Sequence, residues 1–403
     1  MSEPRFNPHL AATMPPPVME ARRWLEGVEF PPERPLINLS QAAPVDPPPA
    51  PLVEAMAQAL SDPASHLYGP VLGLPELRAE LAAQWSAGYH GQITPSQVAI
   101  TSGCNQAFVA ACATLAGPGD EVLLPCPYYF NHKMWLDMAG VGVGLIPTDA
   151  SLLPDPEAAA ARIGPRTRAI ALVSPNNPCG VEYPRELLAK FFELCQARGI
   201  ALILDETYRD FHSVDGAPHT LFQRPDWAGT LVHLYSFSKA YRLTGHRVGA
   251  LICAEDHLAQ VEKFLDTVAI CPPQLGQIAA LWGMRNLGDW LAGERAEILA
   301  RRAAIEAEIA ALPGWSVAGS GAYFAYLQHP FEAASDQVAR ALVAEAGILV
   351  LPGMMFGPSR AEGGDGRAEN SLRLAFANAD ARGLSETARR LAALPADLGV
   401  AAA

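Results

Sequence analysis

Three apolar stretches in the middle of this 403-residue chain end in side chains that could do chemistry, namely Asn177, Asp205 and Lys239. An amide, a carboxylate and an amine that converge could bind a polar ligand and move protons on it. Residues 101–105, Thr-Ser-Gly-Cys-Asn, precede an apolar helix whose first backbone N–H groups could bind an anion such as phosphate. Each feature alone has an ordinary explanation: a helix cap for the aspartate, a turn for Asn-Pro, or a solvated surface for the lysine. Together they indicate one site.

Pyridoxal phosphate catalysis is the chemistry that suits this combination. A lysine such as Lys239 would bond to the cofactor aldehyde, and because it must be neutral to attack, an enclosed site that lowers its pKa would help. A buried carboxylate such as Asp205 would face the ring nitrogen and keep it protonated. Arg247, eight residues beyond Lys239, could supply the cation that a phosphate needs.

The elements that must position these residues alternate between strands and helices, which predicts an α/β fold with a mostly parallel sheet flanked by helices. Several of the strands are continuous apolar runs, typical of parallel strands buried on both faces. Ligands in such sheets bind beyond the carboxyl ends of the strands, so the polar groups should meet there. Strands are expected at 98–101, 121–124, 141–146, 169–173, 200–204, 231–235 and 248–253, with helices at 107–115 and 184–198.

The sequence changes in character after about residue 275, where a smaller α+β domain is expected. Thirteen of the 36 prolines lie within residues 1–51, so this stretch should be an irregular arm. The predicted domains are an arm at 1–49 that forms part of the small domain, a large cofactor-binding domain at 50–275 and a small domain at 276–403. In the small domain, helices are expected at 295–312 and 335–346, and strands at 323–327, 348–351 and 371–376.

Composition argues against several classes of protein. The 29 Lys and Arg against 42 Asp and Glu give a net charge of −13, which disfavours nucleic acid or an anionic membrane as the main partner. No apolar run approaches the roughly 20 residues of a membrane span, and the N-terminus lacks the apolar core of a signal peptide. Seven cysteines without a Cys-x-x-Cys pair indicate neither a disulfide framework nor a metal site. A cytoplasmic protein is the expectation.

In combination, these motifs resemble those of the class I/II aminotransferases, the large fold-type-I family of pyridoxal phosphate enzymes. The resemblance extends along most of the chain, about residues 35–380. It rests on Ser-Phe-Ser-Lys at 236–239 with Gly-His-Arg-Val-Gly at 245–249, Ser-Pro-Asn-Asn-Pro-Cys-Gly at 174–180, Asp-Glu-Thr-Tyr at 205–208 and Ser-Leu-Arg at 371–373.

The resemblance implies a role for each matching residue. Lys239 would be the Schiff-base lysine and the base that moves the substrate proton, and Asp205 would pair with the ring nitrogen. Asn177 and Tyr208 would bind the ring hydroxyl oxygen, and Arg373 the substrate α-carboxylate. The other implied cofactor contacts are Gly103, Cys104, Asn105, Ser236, Ser238 and Arg247 at the phosphate and Tyr129 stacked on the ring, while Asn177 and Ala42 would contact the substrate.

Three further expectations follow from the resemblance. Tyr68 would reach the phosphate of a neighbouring subunit, which implies a homodimer with a shared site. His132 would support Asp205 from behind. Ala42 stands where the family usually has glycine, and its methyl group could narrow the substrate pocket.

Arg373 also has support from the residues themselves. It alternates with Leu372 and Leu374, so it would face away from the apolar side of its strand. An arginine that faces a crevice needs an anionic partner, and an amino-acid carboxylate makes a bidentate one. The alternative is an arginine on a solvated face of a sheet.

The predicted function is transfer of an amino group between an L-amino acid and a 2-oxo acid by a ping-pong mechanism. One alternative on the same fold is a lyase of the carbon–sulfur β-lyase type, which would use the same lysine, aspartate and arginine. Less expected is a regulatory protein that binds the cofactor without catalysis, because every expected catalytic position is filled. A nicotinamide dehydrogenase is disfavoured, since no Gly-x-Gly-x-x-Gly follows a strand. The sequence identifies no second arginine for a dicarboxylic side chain, so the amino donor stays open.

Overall fold

The computed structural model describes residues 5–395 and Leu398. No described helix combines the length and the hydropathy that crossing a membrane would require. The α-helices of this part are α1 (Pro8–Ala12), α2 (Pro17–Arg23), α3 (Ala50–Ala59), α4 (Pro75–Tyr89), α5 (Cys104–Leu115), α6 (Phe130–Met138), α7 (Pro156–Arg162), α8 (Arg185–Arg198), α9 (Phe237–Ala240), α10 (Glu255–Ala269), α11 (Gln274–Asn286), α12 (Gly288–Ala310), α13 (Ser335–Ala341) and α14 (Ala381–Ala392). The strands are β1 (Ile37–Asn38), β2 (Val98–Thr101), β3 (Glu121–Pro125), β4 (Gly142–Ile146), β5 (Thr167–Val173), β6 (Ala201–Asp205), β7 (Leu231–Ser236), β8 (Gly249–Ile252), β9 (Ser316–Gly321), β10 (Phe324–Gln328), β11 (Ile348–Leu349), β12 (Leu351–Pro352) and β13 (Ser371–Leu374).

Seven strands form the central sheet, in the order β2-β8-β7-β6-β5-β3-β4. The paired strands from β7 to β4 are parallel, and only β8 runs antiparallel to its two neighbours. Strand residues alternate between two cores: Ile170 and Leu172 pack with α4, α8 and α11, whereas Ala169 and Ala171 pack with α5 and α10. The predicted α/β fold, a mostly parallel sheet flanked by helices, is therefore confirmed.

The local patterns locate most elements of this sheet to within a residue or two. The strand β2 has the predicted bounds, and β6 ends one residue later than expected, so Asp205 is its last residue. The helix α8 follows Pro184 and ends at Gly199, whose φ of 63° is the left-handed conformation that glycine adopts at little cost. Continuous apolar runs bounded by Gly and Pro were sufficient signals here.

A second sheet, with the antiparallel order β12-β13-β10-β9, packs against α12, α13 and α14. The strand β9 was not predicted, because Ser316–Gly321 contains two glycines and no continuous apolar run. The single strand expected at 348–351 is instead two strands in different sheets, since β11 pairs with β1 and β12 pairs with β13. The long helix also begins earlier than expected, at Gly288.

The N-terminal arm lies against the second sheet, because β1 pairs in parallel with β11 and Ala21 of α2 packs in one cluster with Leu349 and Leu351. The helix α11 belongs to the core of the central sheet, and Leu291 of α12 contacts both cores. The domain limits at 49/50 and 275/276 stay a prediction.

Candidate active site

A cavity of about 640 Å³ lies at the carboxyl ends of β5, β6 and β7. Val173 of β5 is opposite Asp205 of β6, and Asp205 is opposite Leu234 of β7. The segments that follow these strands therefore meet at one edge of the sheet. The sequence-predicted site residues that line the cavity are Ala42, Cys104, Asn105, Tyr129, Asn177, Asp205, Tyr208, Ser236, Ser238, Lys239, Arg247 and Arg373.

Two of the predicted cofactor contacts, Gly103 and Tyr68, do not line this cavity. Gly103 lies immediately behind it, with its backbone against the guanidinium of Arg247. Tyr68 is 80% exposed and borders a separate depression of the surface. A single chain does not bring Tyr68 to the cavity, so its reach into a neighbouring subunit stays a prediction.

Lys239 lies in the short helix α9, directly after β7. Its Nζ donates a hydrogen bond of 2.5 Å to the carbonyl oxygen of Ala42. Burial, together with the positive charges of Arg247 and Arg373, lowers the pKa of this amine to about 7. Much of it is therefore neutral at neutral pH, which is the form that attacks a carbonyl or takes up a proton.

Asp205 presents an ionised carboxylate to the cavity although it is only 4% exposed. Its Oδ1 accepts a hydrogen bond of 2.9 Å from the backbone N–H of Thr207, and its Oδ2 lies 3.4 Å from Nε2 of His132. Burial alone would raise the pKa of Asp205, but His132 and Thr207 outweigh it and lower that pKa below its ordinary value. His132 is held in turn by stacking on Phe108, with ring centres 3.7 Å apart.

An anion site is built where α5 begins. Gly103 precedes the helix with a φ of 88°, and a Cβ there would come within 2.9 Å of Cζ of Arg247. Only glycine thus lets the guanidinium approach the first N–H groups of α5, which have no acceptor within the helix. Arg247 lies at this edge of the sheet because it precedes β8, which runs antiparallel to β7. Its Nη1 donates to the carbonyl oxygen of Thr244 at 3.0 Å. Guanidinium and helix N-terminus together suit a phosphate.

Arg373 is a buried cation without an anionic partner among residues 5–395. It is 2% exposed, its Nη1 donates to Oδ1 of Asn177 at 3.0 Å, and its Nη2 donates to the carbonyl oxygen of Ser40. Its Nε has no hydrogen-bond partner among these residues, and its Cζ lies about 5.0 Å from the ring centres of Phe324 and Phe356. Burial lowers its pKa to about 10, so it stays charged at neutral pH. The alternative of a solvated sheet face is excluded, and a buried charge of this kind needs an anion.

Two tyrosine rings border the cavity. The hydroxyl of Tyr129 accepts a hydrogen bond of 2.8 Å from Asn131, and its ring meets that of His132 edge-on at 5.0 Å. Tyr208 is buried, with its ring against Phe324. Burial raises the pKa of Tyr129 to about 12 and that of Tyr208 well above its ordinary value, so both phenols keep their protons and can donate.

The small residues of the cavity act mainly through their backbone and hydroxyl groups. Oγ of Ser236 accepts a hydrogen bond of 3.2 Å from the backbone N–H of Ser238 and so caps α9, the helix that carries Lys239. Ala42 is buried, and its contact with Lys239 is through its carbonyl oxygen rather than its methyl group. The backbone of segment 40–42 is therefore part of the site.

A fully buried carboxylate that the sequence analysis did not single out, Glu206, lies behind the cavity. Its Oε2 accepts a hydrogen bond from the hydroxyl of Tyr89 and lies 2.7 Å from Nε2 of His233 and 3.4 Å from Nε2 of His219. Burial alone would raise the pKa of Glu206, but the two histidines hold it well below its ordinary value. The N–H of Leu221 donates to Nδ1 of His219, which leaves the ring proton on Nε2, facing the carboxylate. The cluster is thus arranged as a buried carboxylate that faces the hydroxyl of Tyr89 and the ring nitrogens of two histidines.

Glu206→Gln is expected to lower the free energy of unfolding by about 3 kcal/mol. The amide would bring an NH₂ group, itself a donor, into a buried site where Tyr89 and the histidines already supply donors. Urea denaturation of the cofactor-free protein measures this. The matched control is Glu193→Gln, which removes a carboxylate from an exposed pair with Arg224 and should change stability by less than about 1 kcal/mol. Equal effects of the two substitutions would contradict the structural role of Glu206.

The first part of the N-terminal arm, around α2, is the other contributor that sequence reasoning missed. Residues 16–19 and Arg22, all in or just before α2, line the cavity more than 150 positions away from Asn177. The arm carries no motif that would signal this contact. The position of α2 at the cavity depends on contacts between distant parts of the chain, such as the pairing of β1 with β11.

The donor set of the cavity fits pyridoxal phosphate. The glycine-lined helix start and Arg247 suit the phosphate, since the helix start accepts an anion and no described carboxylate neutralises the arginine. The ionised Asp205 suits a protonated ring nitrogen, and the amine of Lys239, with its lowered pKa, suits an aldehyde. Arg373, a buried cation that lines the cavity without an anionic partner among the described residues, leaves one further anion to be bound.

Comparison with known proteins gives concordant results. The family model of aminotransferase class I and II matches residues 34–391. The aromatic aminotransferase ISS1 of Arabidopsis thaliana is 31% identical over 320 residues, which cover 77% of this chain and 79% of that protein. The aspartate/prephenate aminotransferase of Thermus thermophilus is 29% identical over 295 residues, 72% of this chain and 76% of that protein. The solved structure of aspartate aminotransferase from Thermus thermophilus with maleate superposes with a TM-score of 0.85 and 25% identity over 97% of this chain and 99% of that one.

Proposed function

The chain belongs to the class I and II aminotransferases, and we propose that its active site is the cavity at the carboxyl ends of β5, β6 and β7. It is a pyridoxal phosphate-dependent aminotransferase, which moves an amino group between an amino acid and a 2-oxo acid. One observation carries the assignment to this cavity. A lysine whose pKa is lowered to about 7, an ionised aspartate, and a buried arginine without an anionic partner among the described residues all line it.

When bound, pyridoxal phosphate withdraws electrons from the amino-bearing carbon of the substrate and so makes the hydrogen on that carbon acidic. We assign Arg247 and the start of α5 to the phosphate and Asp205 to the ring nitrogen. Tyr208 and Asn177 are proposed to bind the ring oxygen, to which a protonated phenol can donate. Further contacts are proposed for Gly103, Cys104, Asn105, Tyr129, Ser236 and Ser238.

Lys239 is proposed as the group that moves the substrate proton. Its pKa of about 7 lets the neutral amine take a proton from the substrate carbon and the ammonium form return it near neutral pH. The carbonyl oxygen of Ala42 restrains Nζ, and capping by Ser236 fixes the helix that bears it. Arg373 is proposed to bind the α-carboxylate, with Asn177 holding its guanidinium in place.

One amino acid given without any 2-oxo acid tests this function. The loaded enzyme is expected to release one 2-oxo acid per site, convert its cofactor to pyridoxamine phosphate, and then stop until a 2-oxo acid is added. Mass spectrometry of products and cofactor measures both. A lyase of the carbon–sulfur type would instead release pyruvate, ammonia and thiol continuously with the cofactor unchanged, and that outcome would contradict the proposal. Both relatives named above are aminotransferases, and nothing in the comparisons favours a lyase.

A homodimer is proposed as the active form, with Tyr68 reaching the site of the partner subunit. Tyr68 and Leu67 are 80% and 68% exposed, and Val268 and Ile270, which adjoin the same surface depression at Ala269, are 57% and 44% exposed. Apolar surface grouped in this way is typical of an interface. Light scattering should give twice the mass of one chain, and a single-chain mass would overturn the dimer. The cytoplasmic location expected from the sequence stays a prediction.

A further inference from the structure

Arg242 has a backbone conformation that disfavours residues with a side chain. It lies three positions after Lys239, in the loop that leads from α9 to Arg247, and its φ is 55°. Glycine adopts this left-handed region at little cost, whereas an arginine there is uncommon and strained. Such strain persists only where the surrounding structure holds the residue in place. The reason for an arginine at this position must therefore lie in the contacts of its side chain.

The guanidinium of Arg242 joins three parts of the molecule. Its Nε lies 3.0 Å from Oε2 of Glu294 on α12, and its Nη2 lies 2.9 Å from Oε1 of the same carboxylate. Its Nη1 donates to the carbonyl oxygen of Pro47 at 3.2 Å, and its Nη2 lies 3.5 Å from Oδ2 of Asp46. Its Cζ is 5.4 Å from the ring centre of Trp290. A bidentate pair of this kind fixes both the position and the plane of the guanidinium.

Residues 40–47, which we call the strap, connect this guanidinium to the cavity. The strap contains no helix or strand, so side chains from elsewhere in the chain fix its path. Its residues 41–43 line the cavity, and the carbonyl oxygen of Ala42 accepts the hydrogen bond from Nζ of Lys239. Asn378 holds this end of the strap through hydrogen bonds to the backbone of residues 41 and 43. Arg242 holds the other end, four to five residues beyond the carbonyl that contacts the lysine.

We propose that Arg242 is a positioning residue for Lys239. Held by Glu294, it fastens the end of the strap and so keeps the carbonyl oxygen of Ala42 against Nζ of the lysine. This inference rests on the proposed role of Lys239. A carbonyl oxygen that accepts from an amine stabilises the ammonium form, because a hydrogen bond from a charged donor is stronger. The strap therefore opposes part of the effect of burial on the pKa of Lys239, and keeps both forms of the amine present near neutral pH.

The charges around Lys239 give this inference a definite sign. The charged side chains that line the cavity with it are Arg22 on α2, Asp205 on β6, Arg247 and Arg373 on β13, and the other titratable ones are Cys104, Tyr129 and Tyr208. Arg242 and Glu294 do not line it. If Arg242 acted on the lysine only through its positive charge, its removal would raise the pKa of Lys239. If it acts through the strap, its removal lowers that pKa.

Arg242→Gly in the full chain without cofactor tests the inference, because glycine relieves the backbone strain and removes only the side-chain contacts. The pKa of Lys239 is expected to fall from about 7 by about one unit, as suits the loss of one charge-assisted hydrogen bond. Trace labelling with acetic anhydride over a range of pH measures this, since only the neutral amine reacts, and mass spectrometry of the peptide that contains Lys239 gives the labelled fraction. Glu294→Gln should lower the same pKa by a smaller amount, because a neutral amide holds the guanidinium less firmly.

Glu297→Gln, three positions along α12, is the matched control, since it breaks only a pair with Arg301 and should leave the pKa of Lys239 unchanged. Arg242→Lys should restore part of the fall, because it keeps the charge but not the bidentate contact. An unchanged or raised pKa in Arg242→Gly would overturn the inference, and so would an unchanged pKa in Glu294→Gln. The labelling needs no turnover, so a failure to transaminate any amino acid would count against the proposed function of the cavity and leave the role of Arg242 to be decided by the pKa.

Discussion

Replacing Lys239 with alanine is expected to abolish transamination, with kcat lowered at least about 10⁴-fold, because the variant loses both the amine that bonds to the cofactor and the group that moves the substrate proton. In the wild type, borohydride should fix the cofactor covalently to the peptide that contains Lys239. Mass spectrometry of digested protein measures that attachment, and it should be missing from the variant.

The control for this experiment is Lys263→Ala. Lys263 lies on α10, is exposed, and donates to the side chain of Gln260. The control should keep both the activity and the covalent attachment of the wild type. A Lys239→Ala enzyme that still turns over, or a wild type whose cofactor is fixed at another lysine, would refute the assignment of Lys239.

Replacing Arg373 with glutamine is expected to lower kcat/KM for every amino acid about 10² to 10³-fold, the range found when one partner of a buried charged pair is removed. We expect a large loss because the Arg373 residue is only 2% exposed and its Nε has no partner among the described residues. The α-carboxylate common to all substrates would then lose its cation. Steady-state kinetics with several amino acids measures this, and the loss should be similar for each.

Stability separates this effect from unfolding. Glutamine loses the hydrogen bonds to Asn177 and Ser40 but also removes a buried charge that has no anionic partner among the described residues, so the unfolding free energy should change by no more than about 1 kcal/mol. Arg285→Gln, which breaks a surface pair with Glu80, is the control and should leave kcat/KM unaltered. A loss confined to one class of amino acid would mean that Arg373 binds a side chain rather than the α-carboxylate.

The chemistry at the strand ends could be predicted because it depends on local patterns. Asn177, Asp205 and Lys239 each follow a continuous apolar run, and in a parallel sheet such runs bring their carboxyl ends to one edge. The fold class followed from these patterns and the family assignment from the resemblance of the motifs, and both are confirmed by the comparisons. The roles of the individual site residues stay predictions until the substitutions above are made.

The small domain was harder to predict, for a physical reason that β9 and β11 illustrate. Ser316–Gly321 has little apolar character of its own, and it is a strand because β10 supplies its hydrogen-bonding partner. The break between β11 and β12 likewise depends on β1 and β13, which lie far away in the chain. Strand pairing of this kind is a tertiary property, so short or glycine-rich strands are weakly marked in sequence.

By itself, the sequence determined the α/β architecture and the set of groups that could bind pyridoxal phosphate, because both depend on the residue types at the ends of apolar strands. Only the tertiary structure decided which cations share the cavity with them. Arg22 comes from α2, a stretch with no recognisable motif, and the buried donors around Glu206 come from three separate segments. Such contacts depend on how distant elements pack, which periodicity and spacing along one chain do not record.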